Sequence, residues 1–136
     1  LDEKEKNLRM ILNFGHTFAH GFEAAANFSK KLNHGEAVLL GMIAASHLAN
    51  KVKLLPKNDL LLIEKHYSEL KLPMKINKFF KKNKINKIVS FMQKDKKNSN
   101  NKINLILIKK IGKISKPIII NFSKNKIKNF LNNLLI

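Results

Sequence analysis

Residues 5–20 read EKNLRMILNFGHTFAH, and this stretch decides the fold. At 3.6 residues per turn, its apolar residues fall on one face of a helix, which predicts that the helix packs into a core. These residues, with the next apolar position after the stretch, are Leu8, Ile11, Leu12, Gly15, Phe18, Ala19 and Phe22.

A polar stripe lies beside the apolar face of this helix. Its members recur every three or four positions and are Glu5, Arg9, Asn13, His16, His20 and Glu23. Surface stripes are usually filled with Lys and Glu, yet this one has no Lys in a chain with 27 Lys plus Arg among 136 residues. We therefore interpret it as a functional surface rather than an ordinary solvated face.

Three histidines in this region have spacings that suit metal binding. His16 and His20 stand four residues apart, which lets two imidazoles of one helix reach the same ion. Asn33 followed by Glu36 predicts a helix start that places His34 in the first turn, where the helix dipole disfavours a charged ring. Neutral imidazole is the form that binds a metal, although an exposed loop residue is an equally good interpretation of His34.

Several motifs, in their order and spacing, resemble the signature of 3-dehydroquinate synthase. They are Asp2-Glu3-Lys4-Glu5, Arg9, the 12–18 segment LNFGHTF, His20, the 34–38 segment HGEAV, and Gly41-Met42. The loop Asp95-Lys96-Lys97 and residues 103–112 are similar to that family too. The resemblance covers nearly the whole chain, and it corresponds to the C-terminal helical domain of the family.

The resemblance implies a mainly α fold, a multi-helical domain with a small β-hairpin near the C-terminus. We expect residues 1–136 to form a single helical substrate- and metal-binding domain. The N-terminal nucleotide-binding domain is absent from this chain, because its five Gly residues include no glycine-rich strand-turn-helix. Since the chain begins with Leu1, we expect it to be a fragment of a longer protein, inactive as an isolated domain.

The resemblance also implies a reaction. The family converts 3-deoxy-arabino-heptulosonate 7-phosphate to 3-dehydroquinate and phosphate in the shikimate pathway, so it is a phosphate-eliminating carbon-oxygen lyase. It uses NAD+, which transiently oxidises a hydroxyl, and a divalent metal, Zn2+ or Co2+. The implied partners are a small sugar-phosphate substrate and, for the complete enzyme, a second copy in a homodimer.

Site residues carry over from the family motifs by position. The metal ligands are His16 and His34, and a third, acidic ligand belongs to the missing domain. This assignment replaces the pairing of His16 with His20 that spacing alone suggests. The implied catalytic residues are Glu5, Arg9, Asn13 and His20. The implied substrate-binding residues are Arg9, Asn13, His20 and one of Lys96 and Lys97, between which the spacing does not choose.

The net charge of +18 raises the question of nucleic-acid binding. Residues 1–50 hold five Lys/Arg and five Asp/Glu, whereas residues 51–136 hold 22 and four. The basic half is rich in Lys, Asn and Ile, the residues of A/T-rich codons, and it has no Trp, one Tyr and no binding motif. We expect no specific nucleic-acid partner.

The composition also indicates the cellular compartment of the protein. The chain has no Cys, which excludes disulfides and thiolate metal sites and fits a reducing cytoplasm. No apolar run approaches the ~18 residues of a membrane span, so we expect no membrane association and a cytoplasmic location.

Hydrophobic periodicity and turn residues predict the remaining elements. The predicted helices are 3–25, 35–52, 58–70 with Asn58 as its cap, a short one at 75–82, 86–94, and a last one capped by Ser123. Strands 103–108 and 114–120 form a hairpin around Gly112, with Pro117 at a sheet edge. His47, near the end of the second helix, is interpreted as a structural residue.

Two alternatives stay open. A related sugar-phosphate cyclase would share the metal histidines and close a different ring. A non-catalytic basic helical remnant would serve as a scaffold, although an unused stripe should have drifted towards Lys and Asn like the basic half of the chain, residues 51–136.

Overall fold

The computed structural model of the chain describes residues 15–26, 32–94, 102–108 and 117–135. Within these residues there are five α-helices and one two-stranded antiparallel sheet. The helices are α1 (His16–Ala25), α2 (His34–Lys51), α3 (Lys57–Glu69), α4 (Ile85–Gln93) and α5 (Lys124–Leu134), and the strands are β1 (Lys102–Ile108) and β2 (Pro117–Ser123). The predicted mainly α fold with a hairpin near the C-terminus is confirmed.

The first two helices form an antiparallel pair at the centre of the domain. Gly15 lies against Gly41 and Met42, whereas Glu23 lies against His34, so positions along α1 and α2 run in opposite directions. A Cβ atom built on Gly15 would stand 2.5 Å from the Met42 backbone nitrogen, which is too close for any side chain. Glycine therefore lets the two backbones approach at this end of the pair.

Aromatic side chains of α1 pack against later parts of the chain in one core. Phe18 and Phe22 have no exposed surface. The ring of Phe22 stacks on Phe80 with centroids 5.5 Å apart, and Phe18 meets Phe130 of α5 at 6.0 Å. The apolar face predicted for this helix is thus the face that holds α5 and the segment before α4.

The start of α2 is fixed by a reciprocal cap. The Asn33 side chain accepts a hydrogen bond from the Glu36 backbone N–H at 2.8 Å, and the Glu36 carboxylate accepts one from the Asn33 N–H at 3.1 Å. The predicted cap is confirmed, and it makes His34 the first residue of the helix. Likewise the Ser123 hydroxyl caps α5 by accepting from the Lys126 N–H at 3.2 Å, as predicted.

Helix α3 begins differently from the prediction. It starts at Lys57, with Pro56 in the capping position and no side-chain cap, so the assignment of Asn58 as the cap was wrong. The Pro56 carbonyl accepts from the Asp59 and Leu60 N–H groups, both at 3.1 Å, and these backbone bonds begin the helix. The Tyr67 hydroxyl then ties α3 to α2 by donating to the Leu39 carbonyl at 2.6 Å.

Two further predictions differ from the structure, and others fall outside the described residues. The short helix predicted at 75–82 is instead a pair of 3-10 turns, Ile76–Lys78 and Lys82–Lys84. Strand β2 extends to Ser123 because its pairing with β1 continues to Lys102, and Pro117 is its first residue, opposite Ile108. The predicted helix portion 3–14, most of the 27–33 loop and the turn around Gly112 lie outside the described residues.

Candidate metal and substrate site

The candidate site runs along one edge of α1 and reaches the start of α2. His16, His20 and Glu23 stand at positions i, i+4 and i+7 of α1, so they share one stripe of the helix. The Glu23 Oε1 atom lies 2.9 Å from Nδ1 of His34, which joins this stripe to the first residue of α2. We call His16, His20, Glu23 and His34 the histidine seam.

The four side chains of the histidine seam differ in exposure. His16 and His20 are exposed, and the His34 side chain is 69% exposed. The Glu23 side chain keeps only 17% of its surface. The seam thus has three accessible imidazoles, of which His34 contacts the largely buried carboxylate of Glu23.

The antiparallel packing sets the spacing within the histidine seam. Seven residues separate His16 from Glu23, which at 1.5 Å per residue is roughly 10 Å along the axis of α1. Because His34 contacts Glu23, its position along the axis of α1 is closer to His20 than to His16. The structure thus brings His34 to Glu23, keeps His16 and His20 one turn apart, and sets His16 at the other end of the seam.

The donor set of the histidine seam suits a borderline metal. Imidazole nitrogens and a carboxylate are ligands of zinc and cobalt, and the seam offers both types. Across the described ranges, however, no three His, Cys, Asp or Glu side chains form a group that could hold a metal ion. A metal at the seam would thus need a ligand from outside these residues or a rotation of the exposed rings.

Several sequence-predicted site residues lie outside the described part of the chain. They are Glu5, Arg9, Asn13, Lys96 and Lys97. Their roles, and the choice between the two lysines, remain predictions.

Sequence reasoning placed Glu23 in the polar stripe and gave it no role. Its partner, His34, is 11 residues away and on another helix. The sequence did indicate that Glu23 belongs with the histidines, because a residue seven positions after His16 lies on the same stripe of the helix. Only the antiparallel packing of α1 on α2 reveals that this position faces His34.

His47 is a histidine outside the histidine seam. His47 of α2 is half-buried and lines a cavity of about 320 Å³ together with Glu64 and Lys75. Burial lowers the pKa of His47 below its ordinary value, the Glu64 carboxylate opposes this shift, and Lys57 adds to it. Burial thus favours the neutral form of the His47 ring, and its structural role stays a prediction.

This histidine makes stability depend on pH. The folded pKa of His47 is lowered, so the unfolded chain binds its proton first as the pH falls, and the stability due to the neutral ring is present above about pH 6.5 and lost towards acid. His47→Gln should therefore lose less stability than the wild type between about pH 7.5 and 5.5. Urea midpoints at the two pH values test this, and equal losses for both proteins would contradict it.

No helix among the described residues is both long enough and apolar enough to cross a bilayer.

Comparison with known sequences shows which protein family the chain resembles. Residues 1–98 match the family described as 3-dehydroquinate synthase C-terminal. The chain is 55% identical over 111 residues to a 3-dehydroquinate synthase of Pelagibacter ubique, covering 82% of this chain and 30% of that protein. The identity to the synthase of Dictyoglomus thermophilum is 42% over 113 residues, covering 83% and 30% respectively. The chain therefore spans about 30% of the length of these relatives.

Solved structures with a similar fold include two of 2-deoxy-scyllo-inosose synthase. One, complexed with carbaglucose-6-phosphate, NAD+ and Co2+, has a TM-score of 0.64 at 25% identity and covers 89% of this chain and 32% of that chain. The other, with a TM-score of 0.62 at 24% identity, supports the fold alone.

Proposed function

Because the chain belongs to the 3-dehydroquinate synthase family, we propose that it is the helical substrate- and metal-binding part of an enzyme that makes 3-dehydroquinate. The substrate would be 3-deoxy-arabino-heptulosonate 7-phosphate, and the products 3-dehydroquinate and phosphate, in the shikimate pathway. The observation that carries the proposal is the histidine seam, where the carboxylate of Glu23 lies 2.9 Å from the exposed ring of His34.

The proposed metal ligands from this chain are His16 and His34. Both rings are exposed and so accessible to an ion, and an acidic third ligand would come from a part of the protein outside this chain. A bound Zn2+ or Co2+ would act as a Lewis acid on the substrate hydroxyl that is oxidised. The 2-deoxy-scyllo-inosose synthase structure, which contains Co2+ and NAD+, supports a metal and a nicotinamide cofactor here.

The remaining seam histidine is proposed to contact the substrate. His20 lies one helical turn from His16 on the same stripe, so its ring can donate to a substrate oxygen beside the metal. In sequence Asn13 and Arg9 come three and seven positions before His16, and their amide and guanidinium would bind hydroxyl and anionic groups of the substrate. Glu5 would orient Arg9 or accept from a hydroxyl, and one of Lys96 and Lys97 would bind the phosphate or carboxylate of the substrate.

Cofactor and partners follow from the same proposal. NAD+ would be bound mainly by a nucleotide-binding domain outside this chain, so the chain alone would not turn over. The complete enzyme would be a cytoplasmic homodimer acting on a small sugar phosphate, with no nucleic-acid or membrane partner. The absence of Cys is compatible with a reducing compartment.

A related sugar-phosphate cyclase is the second candidate function. The observation that favours it is the fold shared with 2-deoxy-scyllo-inosose synthase, whose structure contains carbaglucose-6-phosphate. That ligand points to glucose 6-phosphate as the competing substrate. The 55% identity to a 3-dehydroquinate synthase favours the heptulosonate phosphate.

Phosphate release by the complete protein decides between these candidates. With NAD+ and Co2+ present, we expect release from 3-deoxy-arabino-heptulosonate 7-phosphate and none from glucose 6-phosphate. The opposite preference would assign the chain to the related cyclase. A folded, metal-loaded protein that releases phosphate from neither substrate would favour the non-catalytic scaffold.

A further inference from the structure

We propose that Glu23 is a positioning residue that holds the ring of His34 for metal binding through Nε2. The inference rests on the proposed metal role of His34 and adds a residue to which that proposal gives no function. Its basis is the 2.9 Å contact between Glu23 Oε1 and His34 Nδ1, which joins two helices across 11 residues of sequence.

The two partners of this contact are held very differently. Glu23 follows Phe22 and precedes Ala24, which are 0% and 3% exposed, so the backbone that carries the carboxylate is fixed in the core. His34 is the first residue of α2, and its side chain is 69% exposed. The fixed carboxylate therefore orients the exposed ring, rather than the reverse.

The chemistry of the contact selects one tautomer of His34. An ionised carboxylate can only accept hydrogen bonds, so Nδ1 must carry the proton that is donated to Glu23. In a neutral ring the lone pair then lies on Nε2, which is the atom left to bind a metal.

A second carboxylate near His34 has a separate task. Glu36 accepts from the Asn33 N–H at 3.1 Å and thereby closes the cap of α2. A glutamine at this position keeps that bond, because its side-chain oxygen also accepts. Glu36→Gln therefore removes a negative charge two residues from His34 without breaking the cap, which makes it a matched control for Glu23→Gln.

The test measures metal affinity in the complete protein. Competition with a chromophoric chelator gives the Co2+ affinity of the wild type and of the Glu23→Gln, Glu36→Gln and His34→Ala variants. We expect Glu23→Gln to bind Co2+ about 10- to 100-fold more weakly, as is typical when the partner of a ligating histidine is lost. Glu36→Gln should bind like the wild type.

Nitrogen NMR of the metal-free, 15N-histidine-labelled protein shows directly which nitrogen of the His34 ring carries the proton. Wild-type His34 should show a protonated Nδ1 and an unprotonated Nε2. In Glu23→Gln both tautomers should be populated, because an amide can accept from Nδ1 or donate to it. A purely structural role for Glu23 would leave this tautomer ratio unchanged.

The outcomes separate this inference from the function on which it rests. If His34→Ala keeps its Co2+, the proposed metal role itself is wrong. If His34→Ala loses Co2+ while Glu23→Gln matches Glu36→Gln in affinity and tautomer, only the positioning role is wrong. If Glu23→Gln loses the metal as completely as His34→Ala, Glu23 is a ligand and the positioning role is overturned.

Discussion

In the complete protein, His34→Ala is expected to abolish metal retention and turnover together. The variant removes one of the two imidazoles that this chain is proposed to supply, and the remaining ligands hold the ion too weakly to survive desalting. Lewis-acid stabilisation is worth several kcal/mol, and each 1.36 kcal/mol is tenfold in rate, so phosphate release should fall by at least about 100-fold. Metal content after desalting and the rate of phosphate release measure the two effects.

His66→Ala is the matched control for this experiment. His66 is an exposed histidine of α3, outside the histidine seam, so its loss removes the same side chain without touching the proposed site. It should retain both metal and activity. Full activity of His34→Ala, or of wild-type protein stripped of metal, would contradict the metal assignment.

Gly41→Ala is expected to destabilise the pairing of α1 with α2. A Cβ atom at this position would overlap the Gly15 carbonyl oxygen and stand 2.8 Å from the Ala19 backbone nitrogen. Both obstacles are backbone atoms of a packed helix, so neither can move aside without separating the pair. Overpacking of this kind costs about 1–3 kcal/mol, against a gain of at most about 1 kcal/mol in helix propensity.

Gly35→Ala in the same helix serves as the control for this loss. A Cβ atom there would meet Asn33 Oδ1 at 3.5 Å, an ordinary contact. The variant should be neutral or more stable by up to about 1 kcal/mol. Urea midpoints of the complete protein compare the two substitutions. Equal midpoints for Gly41→Ala and Gly35→Ala would show that the close approach at Gly41 does not limit stability.

The local parts of this fold could be predicted from sequence because their signals are local. Asn33 and Glu36 cap each other three residues apart, and Ser123 caps α5 by the same short-range rule. The start of α3 was missed because Asn58 has the residue type of a cap, whereas the Pro56 carbonyl begins the helix through backbone bonds alone. Side-chain preference is a weaker guide where the backbone supplies the first hydrogen bonds.

The sequence could predict which residues form the candidate site, but it could not predict which of them contact each other. Spacing placed His16, His20 and Glu23 on one stripe, since a helix fixes which positions share a face. The contact of Glu23 with His34 depends on how α1 and α2 pack, which includes the close approach of Gly15 to Gly41 and Met42. Periodicity within one helix carries no information about that register.

Anomalous diffraction from the complete protein loaded with Co2+ tests the central claim, that this chain contributes His16 and His34 to a metal site. We expect a cobalt peak at about 2.0–2.1 Å from a ring nitrogen of each residue, the usual distance for zinc-type ions. The bond at His34 should be to Nε2, with Nδ1 still on Glu23. Cobalt bound by His16 and His20 without His34, or away from the histidine seam, would contradict the claim.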